Sequence, residues 1–302
     1  MKKVTVLGGS GFLGSHVVQA LGEAGWKVTV LDLRPCPALP PGARMLVGDI
    51  TDPAAVAAAV KGARAVYNFA GIADLGEAHD RPLDTIRVNI LGNGVALEAC
   101  VRAKVKRYVF ASTVYVYSRS GSFYSASKQA CEAYIENYRR YRGLDFTILR
   151  YGSLYGGRSG DSNIVHKMVK EALSDKRVTY FGDGSEVREY IHVEDAARMS
   201  VEALAPEFRD QNLVIAGHQP IEVRGLMEMI REMLGGKVRL VFQHRDAGAP
   251  ANTHYHRTPY SYTPKIGHKL VGRSYIDLGQ GLLRLLDEVN AELARSPKRA
   301  RR

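Results

Sequence analysis

Short runs of β-branched and other apolar residues alternate with amphipathic stretches along the first half of the chain. KVTVL (3–7), WKVTVLDL (26–33), RMLVGDI (44–50), RAVYNFAG (64–71), RYVFAST (107–113) and DFTILRY (145–151) have the length and composition of strands. Between them, FLGSHVVQALGEAG (12–25), DPAAVAAAV (52–60), PLDTIRVNILGNGVALEACVRA (82–103) and YSASKQACEAYIENYRRYRG (124–143) repeat apolar positions at helical spacing. This rhythm predicts βαβ units, hence an α/β fold with a doubly wound parallel sheet.

Beyond residue 151 the rhythm loosens. GSLYGGRSG (152–160) reads as a loop and IVHKMVKEALS (164–174) as a helix, while residues 178–204 read as a strand, a turn and a helix. NLVIAG, EVRGLMEMIREMLG and a final helix near DLGQGLLRLLDEVNAELA follow. The expected division is a sheet domain over 1–151 with a returning segment near 187–204, a smaller mixed α/β lobe over 152–186 and 205–295, and a basic disordered tail, SPKRARR (296–302). The lobe is expected to begin where the sixth strand ends. Ligands of open parallel sheets sit at the carboxyl ends of the strands, which places the cleft between sheet and lobe.

Composition narrows this picture. A chain of 302 residues, 45% hydrophobic and 24% charged, can bury a large core and excludes bulk disorder. No apolar run approaches the roughly 20 residues that span a bilayer, and MKKVTVLGGSGFLG breaks into glycines after five residues, so an unexported, cytoplasmic protein without a membrane partner is expected. Cys36, Cys100 and Cys131 lack metal-ligand spacing and read as reduced structural thiols; the His244, His254 and His256 cluster matches no zinc pattern, so no metal is expected. The net charge of +11 resides partly in the tail and accompanies no basic–aromatic array, which argues against nucleic acid and leaves a phosphorylated small molecule as the acidic partner.

Gly8, Gly11 and Gly14 lie between the first strand and first helix, where glycine permits a tight turn and lets backbone N–H groups reach a pyrophosphate. Phe12 and Leu13 open that helix. Asp32 ends the second strand 18 positions after Gly14, placed to accept from an adenosine ribose and to repel a 2′-phosphate. NAD is therefore favoured over NADP, a preference that Arg34 weakens without reversing it. Asp49 closes the third strand where adenine would lie, although an N-cap at Asp52 explains part of that run.

Tyr124 and Lys128 stand four apart on one face of a predicted helix. An ammonium beside a phenol favours the phenolate, which gives a general acid/base able to exchange a proton with a carbinol.

The GxxGxxG spacing, NFAG (68–71), the Asn of VNILGN (88–93) and YSASK (124–128) together resemble the extended short-chain dehydrogenase/reductase family, whose Rossmann sheet binds NAD. LRYGSLYG (149–156) and GDGSEVREYIHVEDAA (182–197) are similar to its nucleotide-sugar epimerase/dehydratase branch, and the resemblance runs from residue 3 to about residue 290. It implies a cofactor site that adds Ile50, Phe69, Ala70, Gly71, Asn89, Tyr124, Lys128 and Tyr151 to the residues above. VYS (116–118) corresponds to the family's VYG, which makes Thr113 the hydroxyl that holds the reacting oxygen and Tyr117 a structural tyrosine. Dehydratases of the family resemble one another in carrying an Asp–Glu pair where this chain has Val114 and Tyr115. Elimination needs two acid/base groups, so the resemblance implies an epimerase acting on a nucleotide-diphosphate sugar, with C4 inversion of a UDP-sugar the leading expectation. A keto-sugar reductase or dehydrogenase, a dehydratase or decarboxylase, and a non-catalytic NAD sensor or scaffold remain as alternatives.

Tyr124 lies only eleven positions after Thr113, fewer than in most relatives, which predicts a more open substrate side. The resemblance places Arg188, within VREYIHVED, against a diphosphate, and puts Thr113, Tyr115 and Ser153 at the substrate, with Asn163 and Arg245 as further contacts. It also implies a homodimer through the helices near 82–103 and 124–143.

Overall fold

The computed structural model describes residues 2–118, 120–243, 256–259 and 283. Seven parallel strands form the main sheet: β1 (Lys3–Leu7), β2 (Lys27–Asp32), β3 (Arg44–Val47), β4 (Ala65–Asn68), β5 (Arg107–Thr113), β6 (Phe146–Tyr151) and a seventh strand, Gln211–Ile215, in the order seventh–β6–β5–β4–β1–β2–β3. The central strands are apolar at consecutive positions because both faces are covered. On one face α1 (Phe12–Glu23) packs beside a later helix, Val193–Glu202, over Val6, Val30, Tyr67 and Leu149. On the other lie α2 (Pro53–Val60) and two longer helices, Gly92–Arg102 and Ser122–Arg142, over Leu7, Val66, Phe110 and Ile148.

The expected helix over 82–103 is broken into pieces. α3 (Leu75–Asp80) and α4 (Pro82–Thr85) lead into a π-helical turn, Ile86–Leu91, before α5 (Gly92–Arg102). The wider turn carries Asn89, and such insertions recur at functional sites. α6 (Ser122–Arg142) starts two residues before the expected point. Gly121 (φ 96°) and Ser122 (φ 52°) are both left-handed there, so the chain turns sharply into the helix that bears Tyr124.

After β6 the structure departs from the expected loop. β7 (Ser153–Tyr155) forms at once, followed by α7 (Ile164–Asp175), β8 (Arg177–Phe181), β9 (Val187–His192) and α8 (Val193–Glu202). β7 and β9 pair in parallel in a three-stranded sheet with β11 (Pro220–Glu222), while β8 pairs with β12 (Arg239–Gln243). α7 and α9 (Val223–Met233) pack against β8 and β12 through Met168, Met227 and Ile230, which meet Val178 of β8. Of the segment expected to return near 187–204, α8 and Ile191 of β9 pack against the main sheet, while β9 pairs within the smaller three-stranded sheet.

The sheet also does not stop at its sixth strand. β10 (Gln211–Ile215) adds a seventh, drawn from the stretch expected to belong to the lobe. Asp210, left-handed at φ 59°, sets its start: its N–H donates to the Phe146 carbonyl (2.7 Å), and its carboxylate accepts from the Phe146 N–H (3.1 Å) and Arg139 Nε (2.7 Å). The expected final helix and basic tail lie outside the described residues, as do Arg245, His244 and His254.

Replacing Asp210 by Ala removes that acceptor and the short polar side chain that makes the left-handed conformation tolerable. It should cost about 2 kcal/mol in urea unfolding, with Asp210→Asn recovering roughly half because asparagine tolerates that conformation. An unchanged midpoint for Asp210→Ala would mean that β10 docks without this clamp.

Candidate active site

The glycines of the first turn have separate duties. Gly8 is left-handed (φ 78°), and a β-carbon on it would lie 2.3 Å from the Ala70 nitrogen; one on Gly14 would lie 2.2 Å from the Gly8 carbonyl oxygen. Those two let β1, the loop after β4 and α1 close together. Gly11 differs, because its β-carbon would meet only the Gly8 oxygen, at 3.5 Å. It caps α1 without any side-chain hydrogen bond, so no capping side chain occupies the first-turn N–H groups around Phe12 and Leu13. Chain packing does not demand a glycine there, whereas close approach of a pyrophosphate to a helix N-terminus does.

Asp32 ends β2 beside this cradle. Its Oδ2 accepts from the Ser10 N–H (2.9 Å) and its Oδ1 from the Arg34 N–H (3.2 Å), so one carboxylate fixes the glycine turn and keeps acceptor capacity for ribose hydroxyls. Arg34 is exposed. Asp49 accepts from both the Thr51 N–H and hydroxyl, and these bonds hold it below the usual carboxylate range. Ile50 is buried beneath it, against Gly92, and Asp52 caps α2. In the loop after β4, Phe69 stacks on Tyr67 at 5.9 Å. Asn89, which is buried, bonds both main-chain groups of Ile72 (2.7 and 3.0 Å) and the Ser127 hydroxyl (2.9 Å), with no room for a β-carbon on Gly71. It thus ties this loop to α6. Tyr151, expected at the cofactor, instead packs on the α1/α8 face with its hydroxyl 2.6 Å from Ser200, and burial raises its ionisation far above the ordinary phenol value.

Thr113, Tyr124 and Lys128 converge at the end of β5. Thr113 caps the turn Val114–Tyr117, accepting from the Tyr115 N–H (3.3 Å), and its side chain faces the Tyr124 hydroxyl and favours its ionised form. Lys128 is 5% exposed; its ammonium donates to the Ala111 carbonyl (2.8 Å) and lies 4.7 Å from the Phe110 ring centre and 5.6 Å from that of Tyr124. One turn on, Glu132 accepts from Ser112 Oγ (2.5 Å) and from Arg150 Nε (3.0 Å) and Nη2 (2.6 Å), while Arg150 also bonds and stacks on Tyr117.

The electrostatics correct the simple expectation of a phenol lowered by its lysine. Burial pushes Tyr124 up to about 12, offset only in part by the Thr113 side chain, and pushes Lys128 down to about 8 against the opposing pull of Cys131 and Glu132. Desolvation dominates both shifts, and neither group figures among the causes of the other's shift. Tyr124 therefore stays protonated near neutrality unless further positive charge lies against it.

On the lobe side, Arg188 is buried in β9 and its Nη1 donates to the carbonyls of Val187 (3.1 Å) and His256 (3.3 Å). Asn163, expected as a substrate contact, spends its amide locally: Oδ1 caps α7 through Val165 and His166, and Nδ2 donates to the Leu154 carbonyl. Ser153 lies in β7, and Tyr115 packs against Gly121 at the start of α6. His16, buried in α1, donates Nε2–H to the Gly157 carbonyl (2.9 Å), and Arg158 reaches Gln19 (2.6 Å), so the loop after β7 is strapped to α1.

The sequence reading passed over Ser112, Ser127, Glu132, Arg150 and His16. Glu132 was within reach of the same helical spacing that paired Tyr124 with Lys128; the others depend on which strands become neighbours.

Four similarities bear on this geometry. Residues 4–216 match the model of the NAD dependent epimerase/dehydratase family. A UDP-glucose 4-epimerase of Azospirillum brasilense is 32% identical over 285 residues, covering 82% of each chain, and a dTDP-glucose 4,6-dehydratase of Streptomyces antibioticus is 32% identical over 216 residues, covering 63% of this chain and 64% of its own. The UDP-glucose 4-epimerase of Thermus thermophilus, solved with NAD, superimposes with a TM-score of 0.75 at 27% identity, covering 88% of this chain and 95% of its own.

The glycine assignments separate in a binding experiment. Gly11→Ala should fold with near-native stability yet weaken NAD binding by about tenfold or more in titration calorimetry, whereas Gly14→Ala should lose at least about 2 kcal/mol of stability. Native affinity in Gly11→Ala would remove the pyrophosphate from this cradle.

Proposed function

Because the chain belongs to the NAD dependent epimerase/dehydratase family, we propose that it is an NAD-dependent epimerase of a nucleotide-diphosphate sugar, inverting C4 of a UDP-sugar through a transient 4-keto form. The observation that carries this reading is the Tyr124 hydroxyl facing Thr113, with the buried Lys128 ammonium 5.6 Å from the Tyr124 ring centre. Similarity to UDP-glucose 4-epimerases supports the sugar class.

The first-turn N–H groups at Gly11–Leu13 would hold the pyrophosphate, Asp32 the adenosine ribose, Asp49 and Ile50 the adenine, and Lys128 the nicotinamide ribose. When bound, NAD supplies reversible hydride acceptance and a cationic ring. That positive charge favours the phenolate of Tyr124, which takes the proton of the C4 hydroxyl, while Thr113 holds the same oxygen. Tyr124 returns the proton once the keto sugar has presented its other face. Arg188 would serve the diphosphate through its guanidinium fork.

The family also includes dehydratases. The turn Val114–Tyr117 brings no carboxylate to the end of β5, and Glu132 is committed to Ser112 and Arg150. Water elimination would lack its second acid/base group, which favours epimerisation over the dehydratase reading. The exposed apolar side chains of Leu83, Ile86 and Leu91, and of Phe123, Tyr134 and Tyr141 on α6, lie on neighbouring helices and support docking of a second copy. No helix among the described residues is long and apolar enough to cross a membrane.

Incubation of the purified protein with a panel of UDP-, GDP- and TDP-sugars, NAD and no reductant should give a product of unchanged mass and altered stereochemistry, without net change in absorbance at the NADH band. Loss of water would replace the reading with a dehydratase, and stoichiometric NADH with an oxidoreductase. Tyr124→Phe should lose about 10²–10⁴-fold in kcat; full activity in that variant would remove Tyr124 from the chemistry.

A further inference from the structure

Three consecutive residues of β5 hold three residues of α6 spaced one helical turn apart. Ala111 takes the Lys128 ammonium on its carbonyl, Ser112 gives its hydroxyl to Glu132, and Thr113 faces the Tyr124 hydroxyl. Side chains at i, i+4 and i+8 of a helix form one stripe, so Tyr124, Lys128 and Glu132 are fastened as a unit to the strand end. At the far end of the stripe Glu132 is only 7% exposed, yet it carries an ion pair with Arg150 of β6. A buried ion pair contributes little net stability over an apolar pair of similar volume, so its place behind the proposed acid/base group calls for another account.

We infer that Glu132 is a positioning residue: its bonds to Ser112 and Arg150 hold α6 in register on β5, so that the Lys128 ammonium stays on the Ala111 carbonyl and Tyr124 faces Thr113. The inference rests on the epimerase reading only in the use to which Lys128 is put. Lys128 faces Tyr124, Cys131 and Glu132 on its own helix; from β5 it meets the Phe110 ring and the Ala111 carbonyl, while Arg150 of β6 and Tyr117 of the turn stand on the far side of Glu132. Cys131 donates to the Asn89 carbonyl (3.1 Å), and burial pushes its thiol up to about 11. It is neutral wherever Lys128 titrates, which leaves Glu132 as the anion opposing desolvation.

The sign follows directly. Lys128 is lowered to about 8 with Glu132 present; without that carboxylate the charged form loses support and the midpoint falls further. In ¹³Cε-lysine NMR titration of the NAD-free protein, with Lys128→Met identifying the resonance, Glu132→Gln should lower the Lys128 midpoint by about 0.5–1 pH unit, whereas Cys131→Ser should leave it in place. Should Glu132→Gln fail to fold, the double variant Glu132→Met/Arg150→Met replaces the pair with apolar volume and should lower the midpoint in the same direction. In turnover, the alkaline limb of kcat should move to lower pH with Glu132→Gln, and Glu132→Asp should restore it in part. A Lys128 midpoint unmoved in the Glu132 variants overturns the inference. A midpoint that falls while the limb of kcat stays in place upholds Glu132's hold on Lys128 and counts against the part given to Lys128 in the proposed chemistry.

Discussion

Desolvation at the junction of β5 and α6 is the constraint around which the rest of the site is arranged. A lysine, a glutamate and an arginine are taken out of water within two helical turns, and each is given a fixed partner: a main-chain carbonyl for Lys128, a serine and a guanidinium for Glu132, and a tyrosine face for Arg150. Buried polar groups that are fully partnered specify one arrangement, because every alternative leaves a charge without a partner. The register of α6 on β5 is thereby set to within a residue, and the proton-handling hydroxyls inherit that accuracy.

The cofactor side is built on a different physical basis, the absence of side-chain volume. Gly8 and Gly14 let three chain segments approach within distances no β-carbon tolerates, and Asp32 then pins the turn from the neighbouring strand. Rigid packing at those two positions preserves the open space at Gly11. The two halves communicate through Asn89, which fastens the loop after β4 to Ser127, one residue before Lys128.

Much of this was legible in the sequence because the signals are local. Alternating apolar runs gave six of the seven strands of the main sheet, the glycine spacing gave the cradle, and the four-residue interval between Tyr124 and Lys128 gave their shared face. What escaped depends on long-range pairing. β10 is a half-exposed edge strand whose start is set by Asp210, and β7 is three residues long within a glycine-rich stretch, so neither carries a strand signature of its own. The π-helical turn does not alter the apolar pattern of residues 82–103. Asn163 read as a ligand residue because a capping asparagine looks the same in sequence, and the hydroxyl of Tyr151 could be assigned to Ser200 only once α8 was known to return to the sheet. The direction in which Tyr124 and Lys128 shift is likewise a matter of burial depth, which a motif does not encode.

α1 carries the cradle at its first turn and, through Ser15, His16 and Gln19, grips the loop at Gly157 and Arg158 just beyond. Because burial lowers the His16 imidazole below its ordinary value, that grip is a neutral hydrogen bond that salt does not screen. A helix moves as a stiff rod, so a tilt of α1 at one turn is a displacement of the loop at the next. The loop that follows β7 therefore takes its bearings from the helix that carries the glycine turn, and the two segments share one mechanical reference.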